Sequence, residues 1–272
     1  MLVALTALYT AYDSWSAPSV PKALPLFGEL VPPSEGVMSG AVERKKPETP
    51  RVSTREFRSS TTGNATRTAL VSEPRDQAKH PLLVNLHGMC NEPEYSCSPW
   101  LAAAGERYFV TCPRGPNHCG ADGGFGPYFP RDAANVQEDL DAAVSSIEEL
   151  SEGRLSQGDA VLTGFSRGGY LALDLAKRAP GRWPYLILVE SDVRVDAEML
   201  SKAGVRAIGL IAGEMSTQRA GMEKSYRKLS EQGVRVKLWV MPGAGHAYSN
   251  DIADIAAEAL ELVEKTKAPQ GG

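Results

Sequence analysis

The sequence predicts a doubly wound α/β fold: a mostly parallel sheet flanked by helices on both faces, with an antiparallel strand pair at its start. Three observations carry this expectation. Six short apolar runs read as buried strands, amphipathic helical patterns alternate with them over most of the chain, and 272 residues suffice for one large core.

The elements follow in order. Met1–Tyr12 is uncharged and largely apolar but falls short of the roughly 20 residues that cross a bilayer, so no integral membrane span is expected. Residues 1–17 instead have the apolar content of a secretory signal ending near Ser16 or Ala17, although no Lys or Arg precedes it. Residues 18–50 hold seven of the nineteen prolines without helical or strand periodicity and read as a linker or extended arm. The α/β domain is expected at residues 51–266, with residues 267–272 as a flexible tail. Within it, Arg51–Ser59 and Ala65–Ser72 alternate polar and apolar residues about the turn Thr61–Asn64, an antiparallel pair. Leu82–Leu86, Tyr108–Thr111, Ala160–Thr163, Tyr185–Val189, Ala207–Ala212 and Val236–Val240 are the buried strands. Helical patterns cover Ala133–Leu150, Gly168–Arg178, Ala197–Ala203, Gln218–Gln232 and Ile252–Lys265. In the first of these, Val136, Leu140, Ala143, Ile147 and Leu150 recur at steps of three and four.

Composition narrows the function classes. The 29 Lys and Arg against 33 Asp and Glu leave a net charge of −4 without long runs of either sign, which argues against nucleic acid or an anionic membrane surface as partner. All four cysteines, Cys90, Cys97, Cys112 and Cys119, fall within thirty residues. The shortest loops would pair Cys90 with Cys97 and Cys112 with Cys119, and an exported location, periplasmic or extracellular, would follow; the alternative is four reduced, partly buried thiols in a cytoplasmic protein. No Cys-x₂-Cys spacing supports the rival zinc site.

The chemistry centres on Gly164-Phe-Ser166-Arg-Gly168, a Gly-x-Ser-x-Gly between a strand and a helix. A sharp strand-to-helix turn forces the serine into a strained conformation and brings neighbouring backbone too close for side chains at Gly164 and Gly168. The hydroxyl of Ser166 then stands at the positive end of a helix, the setting for a nucleophile. A serine needs a base. His246, in Met241-Pro-Gly-Ala-Gly-His246 after the last strand, stands where the order serine, acid, histidine requires it. His80 and His118 read as loop histidines, and His87 as a brace for the turn His87-Gly88-Met89. The oxyanion hole is assigned to the backbone amides of Met89 and Arg167. For the orienting acid two candidates stand: Glu214, after Ala207–Ala212, ranked first, and Asp192, after Tyr185–Val189, as the alternative. The loop Gly115–Arg131, with Phe125, Tyr128 and Phe129 and with Trp100 nearby, is a candidate rim for the acyl pocket.

Over Arg51–Glu264 these residues resemble the α/β-hydrolase superfamily, nearest to the dienelactone hydrolase, carboxylesterase and polyhydroxyalkanoate depolymerase-like esterases. The likeness rests on Asn85-Leu-His87-Gly88, on Gly164-Phe-Ser166-Arg-Gly168-Gly169 and on Pro242-Gly-Ala-Gly-His246. It implies a serine hydrolase that cleaves a small carboxylic ester or thioester without a cofactor or metal. In one respect the chain departs from these groups: their Gly-x-x-Asp register after the seventh sheet strand puts Ser216 where the acid belongs. The alternatives are a serine peptidase of the same fold and a non-catalytic binding protein on the hydrolase scaffold.

Overall fold

Central strands without a polar face must be covered on both sides, and that requirement organises the architecture. The structure, a computed structural model, describes residues 51–59, 65–120 and 125–267. The expected apolar segment 1–17, the arm 18–50, the turn Thr61–Asn64 and residues 268–272 lie outside the described residues.

Eight strands form one sheet in the order β1-β2-β4-β3-β7-β8-β9-β10. β1 (Val52–Ser59) and β2 (Ala65–Ser72) pair antiparallel, and β2 is antiparallel to β4 (Phe109–Pro113). From β4 across β3 (Leu82–Leu86), β7 (Val161–Phe165), β8 (Tyr185–Val189), β9 (Ala207–Gly213) and β10 (Val236–Met241), all pairing is parallel. Every residue of β3, β7, β8 and β9 is buried. Successive residues alternate between two cores. Leu186 and Leu188 join the core under α2 (Ala133–Ser151), α3 (Arg167–Arg178), α4 (Ala197–Lys202) and α5 (Arg219–Glu231), whereas Tyr185, Ile187 and Val189 join the one under α1 (Pro93–Ala104) and α6 (Ile252–Lys267). The expected doubly wound sheet is therefore present.

Two elements differ from the sequence expectation. α1 lies where the sequence leads to no expected element: Pro93 begins it, but Pro99 stands inside it, and an internal proline argues against a helix. The segment Gly115–Arg131 contains a short hairpin, β5 (Asn117–Cys119) with β6 (Phe125–Tyr128). Both additions bear on the cysteines. The disulfides are Cys90–Cys119 and Cys97–Cys112, not the short loops expected. Choosing the shortest loops failed because α1 starts between Cys90 and Cys97. The helix carries Cys97 into the core beside Cys112 of β4, both essentially without exposure, while Cys90 remains outside it and meets the hairpin.

The chain leaves β3 towards β4 on one side and returns to β7 on the other. Such a reversal opens a crevice at the carboxyl ends of the strands, where sites in open α/β sheets form.

Candidate active site

Ser166 lies between β7 and α3 with φ 51° and ψ −117°, a conformation that side chains avoid. Packing holds it there. The Ser166 amide donates to Val189 O at 2.8 Å, extending the β7–β8 ladder, and the Ser191 hydroxyl donates to Ser166 O at 2.8 Å. The flanking glycines are sterically required: a Cβ on Gly164 would lie 2.3 Å from the Gly168 carbonyl carbon, and one on Gly168 2.0 Å from Leu86 O. Arg167 opens α3, so its amide has no partner four residues back within the helix.

The second turn follows β3. His87 is wholly buried; its Nε2 accepts from the Gly115 amide at 2.9 Å, which leaves Nδ1–H to donate to Gly88 O at 2.8 Å. Burial of the ring, whose centroid lies 4.5 Å from that of Phe129 at a tilt of 31°, lowers its pKa from 6.5 to about 4, so the imidazole stays neutral and braces the turn. Met89 is half exposed beside it. His80 pairs with Asp76 at 2.6 Å at the protein surface, and His118 lies in the hairpin.

His246 closes the arrangement. Its Nε2 lies 2.8 Å from Ser166 Oγ, as the sequence expects of this pair. Its Nδ1 lies 2.8 Å from an oxygen of Glu190, a residue the sequence reading passed over. The loop bearing His246 is fixed by aromatic contacts: Phe165 lies 5.4 Å from the imidazole, Tyr95 stacks on Tyr248 at 5.1 Å, and the Tyr248 amide donates to the Tyr95 hydroxyl at 2.8 Å.

Glu190 directly follows β8, has φ 54° and is fully buried. Its Oε1 accepts from the Gly213 amide, and its Oε2 accepts from both the Ser216 hydroxyl and His246. Three donors on one carboxylate offset the cost of burying its charge. Beside an acceptor-only carboxylate, Nδ1 must carry the proton, and Nε2 is then free to accept from the serine hydroxyl. Neither candidate acid makes this contact. Glu214 accepts from the Gly243 amide at 2.8 Å, and Asp192 accepts from the Tyr170 hydroxyl. Ser216 occupies the register position of the missing Asp and reaches the acid as a donor. A weak signal for Glu190 existed in its place at the end of the apolar run Tyr185–Val189. The left-handed backbone that turns its carboxylate toward β9 has no such signature. On the pocket rim, Tyr128 is partly exposed, but Trp100 and Phe129 are buried in the core.

No protein-family model matches the chain, and no curated protein matches its sequence. Solved structures do match its fold. Esterase PE8 aligns over 71% of this chain and 97% of its own, with a TM-score of 0.57 and 22% identity. The protein TT1662 from Thermus thermophilus aligns over 79% and 99%, with a TM-score of 0.56 and 19% identity. A ferulic acid esterase aligns over 79% and 98%, with a TM-score of 0.58 and 16% identity. With its sheet order, the strand-to-helix turn at Ser166 and these likenesses taken together, the chain has the α/β-hydrolase fold.

Proposed function

We propose that this protein is a serine hydrolase that cleaves a carboxylic ester or thioester through an acyl-enzyme on Ser166. The reading is carried by the unbroken hydrogen-bonded chain Ser166 Oγ, His246 Nε2, His246 Nδ1, Glu190, with both histidine contacts at 2.8 Å. His246 removes the hydroxyl proton as Oγ attacks the substrate carbonyl, and Glu190 stabilises the imidazolium and fixes its tautomer. The developing oxyanion faces the amides of Met89 and Arg167. The imidazolium then protonates the departing alcohol or thiol, and a water activated by the same histidine releases the acid. Esterases among the structural neighbours support an ester as substrate.

The displaced acid favours a non-catalytic binding protein, whereas the Glu190 carboxylate 2.8 Å from His246 Nδ1 supports the catalytic reading. Two disulfides support export to an oxidising compartment. Among the described residues no helix is long and apolar enough to cross a membrane.

The test is hydrolysis of p-nitrophenyl acetate together with labelling by a fluorophosphonate. Ser166→Ala should abolish both and His246→Ala should come close, since the two act as a unit. Full activity in Ser166→Ala would overturn the reading.

A further inference from the structure

His246 must hold two 2.8 Å contacts at once, to Ser166 Oγ and to Glu190, while its side chain is 44% exposed. The imidazole is therefore placed less by its own packing than by the loop that carries it. On the β10 side that loop is laced to the turn after β9: the Glu214 amide donates to Met241 O at 2.9 Å and the Met215 amide to Ala244 O at 2.8 Å. On the α6 side, the chain after His246 is fastened to a different element, the first turn of α1.

Two tyrosines make that fastening, and they make it reciprocally. The Tyr248 amide donates to the Tyr95 hydroxyl at 2.8 Å, and the Tyr248 hydroxyl donates to Ser96 O at 3.2 Å. Between the two bonds the rings stack, with centroids 5.1 Å apart and planes 21° from parallel. Phe165, the residue before Ser166, completes the group at 6.1 Å from Tyr95, 4.9 Å from Tyr248 and 5.4 Å from the His246 ring.

The mount is itself held to the sheet. Ser96 is fully buried, and its hydroxyl accepts from Asn85 Nδ2 of β3 at 2.9 Å. Cys97, next in the chain, is bonded to Cys112 of β4. Asn85 stands two residues before His87, so one turn of α1 grips both the strand leading to Met89 and the loop bearing the base. Tyr95, by contrast, is 39% exposed. Burial of its ring explains little of its presence, whereas its hydroxyl holds an amide two residues from His246.

We propose that Tyr95 and Tyr248 are positioning residues that fasten the His246 loop to α1 and so set the base against the nucleophile. This rests on the serine reading of the site and adds to it the element from which the base is held. Both tyrosines act through His246. A catalytic group must stay within about 0.5 Å of its productive place, and one neutral hydrogen bond contributes up to about a factor of ten.

Tyr95→Phe keeps the ring stack and removes the acceptor of the Tyr248 amide. It should lower kcat for p-nitrophenyl acetate about tenfold with KM held within about twofold, and slow fluorophosphonate labelling of Ser166 by the same factor. Tyr248→Phe removes the longer bond and should cost about threefold. In both variants the low-field ¹H NMR signal of the His246 Nδ1 proton, sharp in the wild type, should broaden by exchange with water. In a His246→Ala background Tyr95→Phe should leave the residual rate unchanged, because no base remains to be positioned. Wild-type kcat in either variant overturns the proposal. So does an equal loss in the His246→Ala background, or a loss of rate with the Nδ1 signal still sharp. Wild-type protein that neither hydrolyses the ester nor takes the fluorophosphonate overturns the serine reading instead, and the Nδ1 signal then still decides whether the tyrosines seat His246.

Discussion

Glu190→Gln keeps the size of the side chain and removes its charge, and the structure dictates how the amide must settle. The glutamine has one oxygen and one NH₂ for a site that offers three donors. The Gly213 amide is fixed in the backbone and can only donate, so the glutamine oxygen must face it. The NH₂ then faces His246 and Ser216. The Ser216 hydroxyl can rotate to accept, and the imidazole can accept only by moving its proton from Nδ1 to Nε2. In that tautomer Nε2 no longer takes the proton of Ser166, the condition that costs about 10³ to 10⁴ in turnover in other triads, or roughly 4 to 5.5 kcal/mol of barrier. Steady-state kcat/KM with p-nitrophenyl acetate measures the loss. Glu214→Gln and Asp192→Asn are the controls, and each should stay within about threefold of wild type, since surface changes away from the reacting atoms act weakly. Retention of more than a tenth of the wild-type rate in Glu190→Gln would refute the reasoning, as would a larger loss in either control.

Non-reducing peptide mapping should recover Cys90 linked to Cys119 and Cys97 linked to Cys112; a peptide joining Cys90 to Cys97 contradicts the structure. Replacing Cys97 and Cys112 by serine should lower the unfolding free energy by about 3 kcal/mol on a chain-entropy estimate for a 15-residue loop, measurable by denaturant titration. For His87 the folded pKa of about 4 lies below the ordinary 6.5, so the unfolded chain binds the proton more readily. Its contribution is therefore complete above about pH 6.5 and is lost as the pH falls toward 4, by about 3 kcal/mol in all. The pH dependence of unfolding over that window should be shallower in His87→Gln; an unchanged slope would assign the acid sensitivity to other groups.

Where the sequence was legible, one local requirement left a residue-type signature. Gly164, Ser166 and Gly168 are legible because the strand-to-helix turn excludes side chains at two of the three positions. The central strands are legible because burial on both faces selects mainly apolar residues, with Asn85 and Thr163 as buried polar exceptions. Glu190 is hidden for the opposite reason: a left-handed glutamate can be read only from coordinates, and Asp192, two residues on, looks equally placed. α1 is hidden by Pro99, which tertiary packing tolerates and propensity does not. The cysteine pairing depends on that helix, so missing the one entailed missing the other.

The segment from Gly88 to Asn91 belongs to no strand or helix, yet it carries one wall of the crevice. Its position is borrowed from the β5–β6 hairpin: Cys90 is bonded to Cys119, the Asn91 amide donates to Pro127 O at 3.2 Å, and Gly126 packs so closely on Cys90 that a Cβ there would lie 2.9 Å from its carbonyl oxygen. This wall acquires its covalent anchor only when an oxidant joins residues 29 positions apart. The placement of the segment therefore answers to the redox state of its surroundings as well as to the packing of the sheet.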